Sequence, residues 1–346
     1  MRASDTSILP PLILSLFFSC SKQKKNIQSE NLEKSNTDHL TIGFSIDTLA
    51  IERWRRDIDV FLASAKELGA NVIVQNSGNT VDGQIRQIQY LIDKNVDAIV
   101  ILAKKADSLS DVIKNAKAKN IPVISYDRLI LNADIDLYLT IDSEQVGEKM
   151  AQEILRRVPS GSVYCLYGPT EDFNMTMAKR GVENVLNKSQ LRINHVFYVD
   201  DWNYDLAYSH IHSLFSENKI PDAIICGNDA IANSVIQAIR EVSPKSKICI
   251  AGQDADIANC QHIVNDRQDV TIYKPITELS KQAAFYAVQL GKGVKVKDLP
   301  LINATMNNGI ADIPTLLLNP ITVTKDNIDE VIIESGFHTR EEVYRN

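Results

Sequence analysis

The sequence of 346 residues lacks the motifs of the common enzyme classes. It has no GxSxG, HExxH or GxGxxG motif and no P-loop, and the turn after its first apolar run, Asp47-Thr48-Leu49, has no glycine for close approach to a phosphate. Its 44 acidic residues outnumber 37 basic ones, for a net charge of −7, which argues against a nucleic-acid partner. A glycosidase needs only two carboxylates and stays open as a remote alternative.

Cysteine is also scarce, with five residues in the chain. Three of them, Cys165, Cys226 and Cys249, lie within apolar runs, where a thiol acts as a small hydrophobic group. No CxxC or Cys/His spacing indicates zinc, and the count is too low for a disulfide scaffold. We therefore expect neither a structural metal nor a disulfide framework.

A short acidic segment imitates the start of a calcium-binding loop. Asp201, Asn203 and Asp205 have the required spacing, but Leu206 and His212 stand where such a loop needs glycine and a closing glutamate. No metal and no cofactor are predicted.

The N-terminus has the pattern of an export signal. Residues 8–18 are apolar, but eleven residues are too few to cross a hydrocarbon core of about 30 Å. Phe17-Phe18-Ser19-Cys20 resembles a bacterial lipoprotein box, so we predict a lipoprotein-type signal over 1–20 with lipid on Cys20. A cleaved secretory signal with an incidental cysteine is the alternative. Residues 21–38 are polar and predict a flexible tether, which would place the protein in the periplasm or at the cell surface, tethered to a membrane.

From residue 39 onward, short Val/Ile-rich runs alternate with segments of helical period, a pattern typical of parallel sheets covered by helices on both faces. Two such α/β units in series predict two doubly wound lobes. The tail changes character, with turn signals around short apolar pieces, and indicates several strands between the lobes that form a hinge. The predicted strands span residues 40–46, 71–75, 98–102, 122–126, 137–141, 162–167, 195–199, 223–226, 248–251 and 270–273.

Polar residues follow many of these runs at the point where each strand ends. Ligands of open parallel sheets sit at such carboxyl ends. Carboxylates, amides and cations together with tryptophans suit a small neutral polyol, so the sequence predicts a sugar receptor. These residues are Asp47, Asp127, Arg128, Asn228, Asp229, Gln253, Asp254 and Lys274, with Trp54 and Trp202 nearby.

Eight segments, in matching order and spacing, resemble the D-xylose-binding proteins of bacterial sugar ABC transporters. The resemblance covers the chain from about residue 40 to the end. The segments are IGFSIDTLAIERWRRD (42–57), YDR (126–128), ADIDLYLTID (133–142), CGNDA (226–230), GQDAD (252–256), YKPIT (273–277), NNG (307–309) and SGFH (335–338).

The resemblance implies a periplasmic-binding-protein fold of type I, an α/β fold with two doubly wound parallel-sheet lobes joined by a three-strand hinge. The N-terminal lobe is expected over 39–140 and 276–306, and the C-terminal lobe over 141–275 and 307–346. Phe173 stands where the family pattern has an asparagine. The ligand residues that the resemblance implies are Arg53, Trp54, Asp127, Arg128, Asn174, Trp202, Asn228, Asp254 and Lys274.

Several of these residues also have ordinary structural explanations. Each tryptophan could simply pack a helix onto its sheet. Asp127 and Arg128 could form a surface ion pair, and Lys274 before Pro275 could be a solvated turn lysine. At Asn228-Asp229, we expect Asn228 to face the ligand and Asp229 to cap the following helix.

The expected ligand is a monosaccharide, D-xylose or a related pentose. The sequence leaves two partners open. The receptor could pass its sugar to an ABC permease, or it could report the sugar to a membrane sensor kinase.

Overall fold

The computed structural model describes residues 40–245 and 247–345. The predicted signal over 1–20, the predicted tether over 21–38 and Cys20 lie outside these residues. In the part that is described, no helix combines the length and the apolar character needed to cross a membrane.

The described chain alternates strands and helices through most of its length. The strands are β1 (Thr41–Ile46), β2 (Asn71–Asn76), β3 (Ala98–Ile101), β4 (Val123–Tyr126), β5 (Leu137–Ile141), β6 (Ser160–Tyr167), β7 (Gln190–Tyr198), β8 (Ala223–Cys226), β9 (Cys249–Gln253), β10 (Val270–Tyr273), β11 (Ala304–Asn307), β12 (Asp312–Leu318) and β13 (Ile321–Val323). The α-helices are α1 (Glu52–Glu67), α2 (Val81–Asp93), α3 (Ser110–Ala118), α4 (Ser143–Arg157), α5 (Phe173–Leu186), α6 (Tyr204–Ser216), α7 (Asp229–Val242), α8 (Ile257–Val264), α9 (Ile276–Gly291) and α10 (Arg340–Val343).

Two separate sheets form the centres of two lobes. The first has the order β11-β12-β5-β4-β3-β1-β2, and the second has the order β13-β10-β9-β8-β6-β7. The runs β2-β1-β3-β4-β5 and β7-β6-β8-β9-β10 are parallel and wound in the same way. This confirms the prediction of two similar doubly wound α/β lobes.

The central strands are continuous apolar runs because helices cover both of their faces. All four residues of β3 (AIVI) and of β8 (AIIC) are buried. The edge strand β2 (NVIVQN) is only partly buried. Helix α9 packs beside α1 in the core of the first lobe, although it follows the second sheet in sequence.

The chain passes between the two sheets three times. It leaves the first sheet after β5 to enter α4, returns after β10 to enter α9, and leaves again between β12 and β13. Asp142 caps α4 at the first crossing, where its carboxylate accepts from the backbone N–H of Gln145 at 3.0 Å. Three adjacent connections allow the lobes to rotate about one axis.

The structure differs from the expected lobe boundary in the tail. We placed residues 307–346 in the C-terminal lobe, but β12 pairs in parallel with β5 and therefore extends the first sheet to Leu318. The turn signals around 307–320 predicted crossings but not which sheet each piece would join. Helix α8 was not predicted, because eight residues present too few turns to show a helical period.

Candidate functional site

One cavity lies where the carboxyl ends of the two sheets face each other. The space between its lining side chains is about 330 Å³, part of which is open to solvent. All nine ligand residues that the resemblance implies line it. Four further residues line it: Gln253, one of the polar strand-end residues noted above, and Ile51, Asp172 and Met175, which no sequence pattern indicated.

The first-lobe wall is built on the first turn of α1. Arg53 forms an ion pair with Asp127, and its Nε lies 3.6 Å from Asp57, one helical turn further on. Trp54 is only 4% exposed, and the guanidinium carbons of Arg53 and Arg128 lie 4.4 and 5.4 Å from the centre of its ring. Cation–π contacts of this kind hold the indole against the cavity.

Asp127 occupies a conformation that is costly for a residue with a side chain, with φ of +62°. Its carbonyl accepts hydrogen bonds from the hydroxyls of Tyr138 at 2.9 Å and Thr140 at 2.8 Å, which fix the turn. Burial alone would raise the pKa of Asp127, but the neighbouring Arg53 and Lys274 lower it below its usual value. The carboxylate is therefore held in its charged form.

Two side chains at the start of α5 reach across to the first lobe. The amide nitrogen of Asn174 donates to the carboxylate of Asp127 at 2.7 Å. Asp172, which caps α5, lies 2.8 Å from Nε of Arg128, and Arg128 also pairs with Asp47 of the first lobe. The lobes are therefore joined by charged and polar contacts around the cavity.

Asp127 and Arg128 are 2% and 4% exposed and pair with other partners, so the surface ion-pair interpretation is wrong. Lys274 is also buried, with its Nζ 2.9 Å from Asp254, so it is not a solvated turn lysine.

Asn228 takes both of the roles that we divided between Asn228 and Asp229. The Asn228 side chain accepts from the backbone N–H of Ile231 at 2.9 Å, so Asn228 caps α7 while it also lines the cavity. Asp229 is fully buried below, where Gln268 and Thr271 donate to its carboxylate. A one-residue difference in where the helix begins decides which side chain caps it.

Trp202 closes the cavity from the second lobe and lies directly over Gly168. A Cβ at residue 168 would come within 2.3 Å of the indole ring, so only glycine allows this approach. Phe173 does not line this cavity. It packs against the core of the first lobe and borders a neighbouring cavity on the hinge side.

The acidic segment at 200–205 does not assemble as a calcium loop. Asn203 caps α6, and Asp201 pairs with Lys104 of the first lobe at 2.7 Å. Within residues 40–245 and 247–345, no three His, Cys, Asp or Glu side chains cluster in a way that could hold a metal ion.

Comparison with known proteins places the chain in a family. The profile of the periplasmic binding protein domain matches residues 42–295. The chain belongs to this family. It is 40% identical over 315 residues to the D-xylose-binding periplasmic protein of Haemophilus influenzae, covering 90% of this chain and 94% of that protein. It is 37% identical over 314 residues to the protein of the same name in Escherichia coli, covering 89% and 94%.

A solved structure supports the same fold. An ABC transporter solute-binding protein from Clostridium phytofermentans with bound β-D-glucose superposes with a TM-score of 0.81 at 27% identity, covering 88% of this chain and 99% of that one. The type I architecture expected from the sequence is thus confirmed. The chain is a binding protein and not an enzyme.

Beneath the cavity, Asp57 makes the stability of the protein depend on pH. Burial raises its pKa to about 7, although Arg53 opposes the shift. Because this value lies above that of an unfolded chain, about 3.9, the folded state disfavours the carboxylate. The contribution of Asp57 to the stability of the folded state is complete below pH 4 and is lost as the pH rises through 7.

We therefore expect Asp57→Asn to stabilise the protein at pH 8 relative to the parent, by about 2 °C or more in Tm, and to give a smaller gain at pH 5. Thermal melts at both pH values measure the difference. Asp59→Asn, at an exposed position of the same helix, is the control. An equal shift for Asp57→Asn at both pH values would contradict the assignment.

Proposed function

We propose that the chain captures D-xylose between its two lobes and delivers it to an ABC permease. The observation that carries this proposal is the cavity at the carboxyl ends of both sheets, which is lined by acceptors and donors from both lobes. The two relatives named as D-xylose-binding proteins support the choice of sugar.

The chemistry of the cavity matches a pentose. Asp127 and Asp254 accept from sugar hydroxyls, and Arg53, Arg128 and Lys274 donate to them. Hydrogen bonds to charged groups contribute roughly 1.5 to 3 kcal/mol each, whereas micromolar affinity needs about 8 kcal/mol in total. Four such bonds at the middle of this range contribute about 9 kcal/mol, which leaves a small margin for the cost of closing the lobes.

The two tryptophans provide the apolar surfaces that a sugar ring needs. In this proposal, the indoles of Trp54 and Trp202 face the aliphatic C–H groups of the pentose, and Asn174 and Asn228 contact its hydroxyls. Open lobes present half-sites, and the sugar stabilises the closed form because only that form offers both halves at once.

Calorimetry with D-xylose, D-ribose, L-arabinose and D-glucose tests the ligand. We expect D-xylose to bind at least tenfold more tightly than D-ribose, because a misplaced hydroxyl leaves a buried polar group without its partner. Tighter binding of D-glucose than of D-xylose would show a hexose receptor instead, and no heat with any of the four sugars would refute the proposal.

Arg128→Ala and Asp254→Ala test the placement of the site. Each should weaken D-xylose binding at least tenfold, a loss of about 1.4 kcal/mol, because each removes a charged hydrogen-bonding group from the cavity wall. Arg86→Ala and Asp59→Ala, at exposed positions, should leave the affinity unchanged. Circular dichroism checks that the variants fold, and unchanged affinity in both site variants would show that the sugar binds elsewhere.

The proposal includes a lipid tether on Cys20 and a membrane partner. We expect the full-length chain to fractionate with membranes, Cys20→Ser to release it, and crosslinking in D-xylose to recover an ABC permease. Mass spectrometry of the N-terminal peptide checks the lipid directly. A soluble parent protein would contradict the tether, and recovery of a sensor kinase in place of the permease would favour the signalling alternative.

A further inference from the structure

The SGFH segment near the end of the chain contacts the sugar-site turn without lining the cavity. Its His338 is 3% exposed. The Nε2 of His338 lies 2.8 Å from the carbonyl oxygen of Ala255, the residue after Asp254. Its Nδ1 lies 3.1 Å from Nη2 of Arg56, which belongs to α1 of the first lobe. One imidazole therefore joins the turn of one lobe to a helix of the other.

These two partners determine the protonation state of the imidazole. A guanidinium can only donate, so Nδ1 of His338 must accept from Arg56. A carbonyl can only accept, so Nε2 must carry the proton that it donates to Ala255. The contacts require a neutral ring, because a proton on Nδ1 would point at the Arg56 guanidinium.

The turn that His338 holds is strained. Asp254 has φ of +104° and Ala255 has φ of +56°, both costly for residues with side chains. The Ala255 N–H donates to the hydroxyl of Thr271 at 3.2 Å, and the carbonyl of the same residue receives the His338 proton. Asp254 then faces Lys274 at 2.9 Å in the cavity wall.

The neighbouring Phe337 strengthens the contact between the lobes. Its carbonyl accepts from Nη1 of Arg56 at 3.0 Å, and its ring lies 4.8 Å from the guanidinium carbon. The ring also packs against the cores of both lobes. Arg56 thus meets residues 337 and 338 of the second lobe through two hydrogen bonds and a stacked ring.

We propose that His338 is a positioning residue for sugar capture. In its neutral form, it ties the Asp254–Ala255 turn to Arg56 of the opposing lobe, so the closed, sugar-holding form weakens when His338 takes up a proton. The inference rests on the proposed function in one respect, the role of Asp254 in holding the sugar.

The charged groups around His338 set the direction of its titration. Arg56 and Glu52 face it from α1, and Glu342 faces it from α10. Burial and the Arg56 charge lower the pKa of His338, although the bond to Ala255 and the two glutamates act in the other direction. When the lobes open, Arg56 moves away and the pKa rises toward the ordinary value of about 6.5. Closure then requires loss of a proton, so affinity falls as the pH drops below about 6.5.

A second group nearby titrates in the opposite sense. Burial and the charges of Asp229 and Asp254 raise the pKa of Asp256, and Glu52 also raises it, so protonation of Asp256 favours the buried state. Its contribution is shared by the parent and any variant at residue 338. The ratio of the parent affinity to the variant affinity therefore reports the titration of His338 without that of Asp256.

The test is calorimetry of the full chain with D-xylose between pH 8 and pH 5.5, for the parent and for His338→Gln. Glutamine offers a donor and an acceptor but does not titrate in this range. At pH 8, we expect the Kd of His338→Gln to lie within about threefold of the parent. Between pH 8 and pH 5.5, the ratio of the parent Kd to the variant Kd should rise at least fivefold. His338→Ala should bind more weakly than His338→Gln at pH 8.

A flat ratio across this range would overturn the proposal, because a purely structural role changes stability without changing the pH profile of binding.

Should His338→Gln fail to fold, Arg56→Met tests the same contact from the other lobe. NMR titration should then show a higher pKa for His338 in that variant. An unchanged pKa would also overturn the proposal. If the proposed function itself were wrong, the result would differ from these outcomes, because the parent would then give no heat with D-xylose at pH 8.

Discussion

The burial of charge at the lobe interface is the constraint on which the rest of the molecule depends. Arg53, Asp127 and Arg128 are each less than 5% exposed, and removing an ion from water costs several kcal/mol unless a partner compensates it. Part of that compensation comes from the other lobe, through Asn174 and Asp172. When the lobes separate, water solvates these groups, so the complete site exists only where the lobes meet.

The repeated winding order explains why such groups converge. In each lobe, the strand order reverses beside the first strand, β1 or β6, and the crevice outside the carboxyl ends of the strands opens there. Because the chain crosses between the lobes three times on one side, the two crevices face each other. The same topology that gives each lobe its parallel sheet also produces one cleft with two matching walls.

Much of this arrangement could be predicted from the sequence, because buried parallel strands are apolar runs and the polar residues after them share one edge of the sheet. Asp172 escaped prediction because it lies in a loop and caps α5, a role that leaves no periodic pattern. Ile51 and Met175 are apolar and indistinguishable from core residues. The roles of Asn228 and Asp229, and the sheet that β12 joins, depend on backbone geometry that local patterns do not encode.

Phe173 shows that affinity depends on more than the residues that line the cavity. Its ring, on the second lobe, packs against the core of the first and adds a contribution to closure that requires no sugar. The observed affinity of a two-state receptor is its intrinsic affinity reduced by the fraction of molecules in the competent form. An apolar contact that raises this fraction tightens binding for every sugar that fits, whereas hydrogen bonds in the cavity discriminate among sugars. Phe173 therefore contributes to affinity alone, whereas the residues that line the cavity contribute to both affinity and selectivity.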